Sequence, residues 1–400
     1  MKQRILLVNK FYYRRGGAEG CVINLEQALR DRGYEVAVFS MDYPENIATP
    51  YADYFVPQVE FFKGLSGKVK AMLRTLGLDS LKARFNRLLD DFRPDVVHLH
   101  NVHSYLSPLV GELAHRRGIK VVWTLHDYKI ACPAYSCLHR GQVCERCFHD
   151  KKQVLLTKCM KDSLPASLLA YLEALKWNPG RLTEFTDIFL CPSAFIRDKM
   201  ISAGYPQEKM RVLCNFVGPE IEERYANIEF SETRQPYYCY VGRLSAEKGL
   251  NTLIEAASRL PYTLKIAGGG PLEDELKARA ASCGNIEFVG SLPPAKVADL
   301  LSGARFSVVC SECYENNPLS AIESLCAGTP VVGARIGGIP ELVEGKSGII
   351  FKSGDADELT EAIEKAWHTP WPYREIMEEA RRRFSADEHC AVLTDLYEGK

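Results

Sequence analysis

Phe306-Ser-Val-Val-Cys310, then Ser311-Glu312-Cys313-Tyr314-Glu315-Asn316-Asn317-Pro318-Leu319-Ser320-Ala321-Ile322-Glu323, then Leu325-Cys326-Ala327-Gly328-Thr329-Pro330-Val331-Val332, reads as strand, loop, helix and strand again. Asn317 followed by Pro318 predicts an N-cap with proline at the first helical position. Glu315 therefore falls in the loop ahead of the helix, and Glu323 about a turn and a half inside it. Were the whole stretch between them helical, their α-carbons would stand about 12 Å apart at ~1.5 Å per residue. Paired-carboxylate hydrolysis needs roughly 5 to 9.5 Å between carboxyl groups, so that chemistry is a poor fit. A loop-to-helix arrangement instead turns both acids toward one extended ligand, with the amides of Leu319 and Ser320 aimed at an anion between them. Two hydroxyl-binding acids flanking a phosphate site point to a nucleotide sugar.

The same alternation runs outward through the whole chain. Strands are expected at Ile5–Asn9, Glu35–Ser40, Asp95–His100, Lys120–Leu125 and Asp187–Cys191 in the first half. In the second they are expected at Tyr238–Gly242, Thr263–Ala267, Asn285–Val289, Phe306–Cys310, Pro330–Gly333 and Gly348–Phe351. Strands alternating with helical patterns make an α/β fold of parallel sheets, and two sheets fit 400 residues better than one. The expected division is a first domain over 1–195, carrying a cysteine-rich insertion at about 131–160, a second over 196–380, and a C-terminal helix, 381–400, returning to the first. No repeat or low-complexity tract interrupts this.

Three further strand-to-helix turns carry phosphate-binding chemistry. After the first strand, Arg14-Arg15-Gly16-Gly17-Ala18-Glu19 lets backbone amides approach an anion at a helix start, or is a tight turn whose glycines satisfy only backbone geometry. Tyr240-Val-Gly242-Arg243-Leu-Ser-Ala-Glu-Lys248-Gly249 either sets a forked guanidinium and a point-charge ammonium on one anion, at the strand end where doubly wound sheets bind ligands, or carries a solvated pair of charges. Ala267-Gly268-Gly269-Gly270-Pro271 is either a linker or a loop that admits the flat part of a nucleotide.

These residues resemble glycosyltransferase family 4 on the GT-B fold: Glu-x7-Glu at Glu315 and Glu323, Gly-Arg-x4-Lys-Gly from Gly242 to Gly249, the Gly16-Gly17 loop, Gly268–Gly270 and Gly337-Gly338-Ile-Pro-Glu341. The resemblance implies two facing Rossmann-like domains with a cleft between them, a donor site mainly in the second, an acceptor site mainly in the first, and transfer with retention. It implies that Arg243 and Lys248 hold the donor diphosphate, Glu323 the ribose hydroxyls, and Glu315 hydroxyls of the transferred sugar. His126, in a Thr-x-His-Asp pattern, is implied to approach that sugar. Asn316-Asn317-Pro318 departs from the family's usual Gly-Phe-Gly and leaves donor identity open between a UDP- and a GDP-sugar, with Asn316 or Asn317 placed to touch a sugar hydroxyl. Fixed cations and amides stabilise a leaving diphosphate, so catalysis needs no metal or cofactor if Arg243 and Lys248 do that work. Asp355-Ala-Asp357 opens a helical pattern and reads as a cap rather than a metal motif.

Asp127 serves either as an orienting group or base beside His126, or as a loop cap. His98 and His100 share one face of their strand, His98 reading as structural. Cys132, Cys137, Cys144 and Cys147, followed by Cys159, offer a structural zinc site, with thiol packing or redox pairing as the alternatives. From Phe61 to Arg93, lysines and arginines interleave with apolar residues, a pattern for an anionic membrane surface or for an ordinary helix pair covering the sheet.

The formal charge of −1 excludes an obligate polyanion binder, and no nucleic-acid partner is expected. It conceals a split: residues 1–200 hold 29 Lys+Arg against 21 Asp+Glu, and residues 201–400 hold 21 against 30. The basic half is thus expected to serve the acceptor, a glycan or a lipid-linked glycan of surface polysaccharide or glycolipid synthesis. With no export signal or spanning segment, a cytoplasmic or inner-face peripheral location is expected. Two alternatives remain: a nicotinamide-dependent oxidoreductase, which would lack its Gly-x-Gly-x-x-Gly fingerprint, and a non-catalytic sugar-nucleotide sensor.

Overall fold

Two six-stranded parallel sheets organise the computed structural model, which describes residues 2–59, 64–228, 230–343 and 345–399. The first sheet uses β1 (Arg4–Val8), β2 (Glu35–Phe39), β3 (Val96–Leu99), β4 (Lys120–Thr124), β5 (Ile188–Cys191) and β6 (Met210–Val212) in the order β6-β5-β4-β3-β1-β2. The second uses β7 (Tyr237–Val241), β8 (Thr263–Ala267), β9 (Ile286–Gly290), β10 (Ser307–Val309), β11 (Val331–Ala334) and β12 (Gly348–Phe351) in the order β9-β8-β7-β10-β11-β12. Central strands such as Ile5–Val8 and Val96–Leu99 are buried throughout. Helices cover both faces of such sheets, which is why these runs read as continuous apolar stretches without alternation.

Strand order reverses between β1 and β3 in the first sheet, and between β7 and β10 in the second. At such switch points the loops leaving the carboxyl ends of adjacent strands diverge and leave room for a ligand. Gly16-Gly17 and His100 follow one switch-point pair, and Arg243 and Glu315 follow the other. Register is regular except beside β9, where Ala267 pairs with Gly290 after a shift at Ile266.

The chain divides into two units, Met1–His139 with Cys144–Leu213 and Cys390–Lys400, and Cys214–His389 with Arg140–Val143. The first runs past the expected boundary at 195 because Met210–Val212 pairs with Ile188–Cys191 as a sixth strand. Its C-terminal contribution starts at Cys390. The 381–400 stretch is not one helix but the end of Tyr373–Arg383 and the helix Ala386–Glu398. Tyr397 is buried there with its hydroxyl 2.6 Å from His98 Nδ1.

The basic 61–93 segment splits in two. Phe61, Phe62 and Lys63 lie outside the described residues. Leu81–Phe92 turns Leu81, Phe85, Leu88, Leu89 and Phe92 into the core, and its Arg84 and Arg87 donate to the carbonyls of Phe55 and Asp53, so this half covers the sheet. Gly64–Thr75 buries Ala71 and Thr75 and leaves Val69 and Met72 exposed. Among the described residues no helix is long and apolar enough to cross a membrane.

Candidate functional site

In the second unit the loop after β7 makes a 3-10 turn, Ala246–Lys248, and enters the helix Leu250–Ala257 through Gly249. Gly249 has φ of +70°, and a Cβ there would stand 1.9 Å from the Cys310 carbonyl oxygen, so the loops after β7 and β10 pack backbone to backbone. Glu312 N donates to Glu247 O (2.8 Å) and Thr252 Oγ1 to Glu312 Oε1 (2.6 Å), closing the seam. The seam brings Lys248 Nζ to 2.5 Å from Glu315 Oε1, which also accepts from Ser311 Oγ at 2.6 Å. Burial lowers the Lys248 pKa, but the Glu315 carboxylate outweighs it and leaves the value raised. Lys248 is therefore a fixed cation. Arg243, exposed on the same loop, has no ion pair among the described residues.

The helix begins at Leu319 with Pro318, not Asn317, in the N-cap position. Proline has no side-chain acceptor, so the amides of Leu319 and Ser320 carry no cap hydrogen bond and stay available to an anion. Asn317 does other work: it is only 4% exposed, its Oδ1 accepts from Asn215 N and its carbonyl from Asn215 Nδ2, both at 2.9 Å. That contact commits Asn317 to the backbone leaving the first unit, and its buried Nδ2 has no partner. Glu323 lies inside the helix, and burial raises its pKa to about 7. Its helix is held by the Tyr225 hydroxyl, which donates to Glu323 O at 2.9 Å.

The Gly268–Gly270 loop is shaped by its neighbours. Gly268 has φ of +139°, and a Cβ would meet Gly242 O at 1.9 Å; one on Gly270 would meet Leu244 O at 2.3 Å. Close approach to the Arg243 loop explains these two glycines. Gly269 would meet only the Ser291 and Glu273 side chains. Asp355 is the N-cap of Ala356–His368, its Oδ1 accepting from Glu358 N at 3.1 Å.

In the first unit, Gly16 is the extended N-cap of the helix Gly17–Asp31, and a Cβ there would touch only Glu19 Oε2, at 3.3 Å. The fold itself does not require that glycine. Beyond β4, His126 Nε2 shares a 2.9 Å hydrogen bond with His100 Nδ1, while His98 sits between Tyr397 and Thr124 and stacks on His100 at 4.3 Å. Burial lowers the His126 pKa to about 4, so at neutral pH it is an uncharged hydrogen-bonding imidazole. Asp127 Oδ1 accepts from Lys129 N at 2.9 Å, the loop-capping geometry, while burial raises its pKa.

Sequence reasoning missed the ring cluster that follows β1. Phe11 is buried at its hub, with Tyr13, Tyr43 and Tyr105 at centroid distances of 5.4 to 5.7 Å, Arg15 4.4 Å above it and Lys10 5.7 Å away. Asn9 Nδ2 pins the loop by donating to Phe11 O at 2.8 Å. Three aromatics in four residues after a strand were a readable signal. The partners Tyr43 and Tyr105 were not, because they come from other loops.

Among the described residues no three His, Cys, Asp or Glu side chains are grouped to hold a metal. Cys147 packs with Val154 and Ala170 in a small core, where burial and the nearby Cys132, Cys144 and Cys159 raise its thiol pKa. Cys132 and Cys137 do meet, and the hydrogen bond from Cys137 holds the Cys132 thiol below its ordinary range.

Residues 15–221 match Glycosyltransferase Family 4, and residues 222–384 match Glycosyl transferases group 1. The O-antigen chain mannosyltransferase C of Escherichia coli is 25% identical over 98% of this chain and 98% of its own. An uncharacterized 42.6 kDa protein in the cps region of Klebsiella pneumoniae is 24% identical over 99% of this chain and 100% of its own. Among solved structures, Anabaena HepE in complex with UDP and glucose is similar at a TM-score of 0.65, 18% identity and full coverage of both chains. WaaG, a glycosyltransferase involved in lipopolysaccharide biosynthesis, is similar at a TM-score of 0.61 and 19% identity, over 99% of this chain and 100% of its own. Both family models, the Escherichia coli mannosyltransferase and WaaG carry glycosyltransferase names, and none of the matches supports the oxidoreductase or sensor alternatives.

Proposed function

The chain belongs to glycosyltransferase family 4 on the GT-B fold and is a glycosyltransferase, and from that premise we propose a retaining transfer that needs no catalytic metal. The donor is a UDP- or GDP-sugar and the acceptor a glycan or lipid-linked glycan of a surface polysaccharide or glycolipid, at the inner face of a membrane. The names of the relatives support the acceptor class, and the UDP complex of a structural neighbour supports the donor class.

The observation that carries this reading is the Lys248–Glu315 ion pair at the second switch point, with Arg243 on the same loop as Lys248 and an uncapped helix start shortly after Glu315. Breaking the bond between the anomeric carbon and the phosphate oxygen leaves the electron pair on the nucleoside diphosphate. Fixed cations and preoriented amides stabilise that charge without reorganising. Arg243, Lys248 and the helix amides hold the diphosphate, and the Gly16 and Gly17 backbone adds amide donors in the first unit. Glu323 accepts from the ribose hydroxyls. Glu315, steadied by Lys248 and Ser311, accepts from hydroxyls of the transferred sugar, with Asn316 beside it.

In the first unit, His126 presents Nδ1 to a sugar hydroxyl while Nε2 is held by His100. Asp127 takes the proton of the attacking acceptor hydroxyl through its oxygen not bonded to Lys129. Its raised pKa suits a base better than an ordinary aspartate. Calorimetric titration with a panel of UDP- and GDP-sugars and NAD tests the donor assignment. One nucleotide sugar is expected to bind, and Arg243→Ala to weaken it about tenfold or more, as befits loss of a charge-assisted pair. Binding of NAD alone would overturn the reading.

A further inference from the structure

The helix Leu164–Lys176 is folded with its apolar face outward. Leu164, Leu168, Leu172 and Leu175 recur at helical spacing along one side and are each 39% to 51% exposed. The opposite side buries Ser167, Ala170 and Glu173. A surface helix ordinarily does the reverse.

The inversion is built in. Ser163 caps the helix, fixing its rotation at the start, and Ser167 Oγ accepts from Met160 N at 3.1 Å. Glu173 accepts from Ser104 N at 2.8 Å and pairs with Lys129 Nζ at 2.9 Å, both partners partly buried in the first unit. Rolling the leucines inward would break these contacts and strand a buried carboxylate, which is costly. The outward leucines therefore call for a covering.

The surroundings say what covers them. Residues 151–161, leading into the helix, contain four lysines and no acid, with Lys152, Lys158 and Lys161 exposed and Leu156 among them. At its other end, Lys176 Nζ donates to Leu76 O and Trp177 Nε1 to Thr75 O (3.2 Å), which ties the helix to Gly64–Thr75. That neighbour exposes Val69 between Lys68 and Lys70, then Met72, and Leu78 follows it. Exposed aliphatic side chains rimmed by lysines match an anionic bilayer surface, where leucines enter the acyl boundary and ammonium groups meet phosphate headgroups.

We propose that the leucine face of Leu164–Lys176, continued by Val69, Met72 and Leu78, seats the first unit on an anionic lipid bilayer. This deepens the proposed function, because it puts the enzyme where a lipid-linked acceptor is found.

The test is co-sedimentation of the full chain with phosphatidylcholine vesicles containing about 30% phosphatidylglycerol, at low salt. Wild type is expected to bind, and Leu168→Gln/Leu172→Gln/Leu175→Gln to bind about tenfold less or weaker, with an unchanged melting temperature. Lys152→Glu/Lys158→Glu should weaken binding in the same assay while sparing the leucines. Failure of wild type to bind, or equal binding by the leucine variant, overturns the proposal. So does a wild-type dimer that the leucine variant converts to monomer without changing vesicle binding, since a second copy would then cover the face. Donor titration on the same variants should be unchanged; a protein that binds vesicles but no nucleotide sugar would sink the proposed function and leave this surface standing.

Discussion

At the residue scale, Glu323 is the group whose chemistry depends most on conditions. Burial raises its pKa from the usual glutamate range to about 7, so the ligand-free protein holds a proton there that the unfolded chain has released. Between those two values the native state binds more protons, so stability falls as pH rises through that window and is independent of this group below it. Ribose hydroxyls need the ionised form as acceptor. Donor KM is therefore expected to rise as pH falls below about 7 in wild type, and a pH series on Glu323→Gln should show a uniformly weak KM without that slope. A pH-independent KM in wild type would contradict this role. The placement of Glu315 in the loop and Glu323 inside the helix was legible from the sequence. The Lys248–Glu315 contact was not, because it joins loops from two strands that only the sheet order makes neighbours.

The same limit appears at the scale of elements. The other eleven strands of the two six-stranded sheets fell on expected apolar runs, whereas β6 did not: it has three residues, two of them exposed, and pairs on one side only. The cap of the Leu319 helix moved by one residue because Asn317 is drawn away by Asn215, a tertiary contact with no local signature. The cysteine spacing suggested a metal, and the apolar packing of Cys147 against Val154 and Ala170 was not legible in it. The glycine loops show the clearest division of labour. Gly249 combines positive φ with a carbonyl at 1.9 Å from any added Cβ, so Gly249→Ala should destabilise the second unit by about 2 kcal/mol or more, read by urea denaturation. Gly16→Ala, which meets only the end of Glu19, should leave stability within about 0.5 kcal/mol while weakening donor binding.

Across the whole molecule, the near-zero net charge is a cancellation between a basic first half and an acidic second half. The structure gives that split a physical meaning within each unit. The proposed diphosphate site in the acidic second unit rests on a few local groups that would override its bulk charge: Arg243, without an ion pair among the described residues, a carboxylate-steadied Lys248 and helix amides without side-chain caps. The basic first unit spends part of its charge internally, as Arg84 and Arg87 do, and part on lysines beside exposed leucines. Arg243 and Lys248 also differ as targets. Removing the Arg243 side chain breaks no ion pair among the described residues, whereas removing Lys248 leaves the half-buried Glu315 carboxylate without its cation and is expected to cost stability as well as activity.

Transfer of labelled sugar from the donor to acceptor, compared between wild type, Arg243→Ala and Glu323→Ala, tests the central claim most directly. Wild type should label the acceptor, and each variant should lose about a hundredfold or more in rate while melting within a few degrees of wild type. Undiminished transfer by both folded variants would contradict the assignment of the second switch point as the donor site.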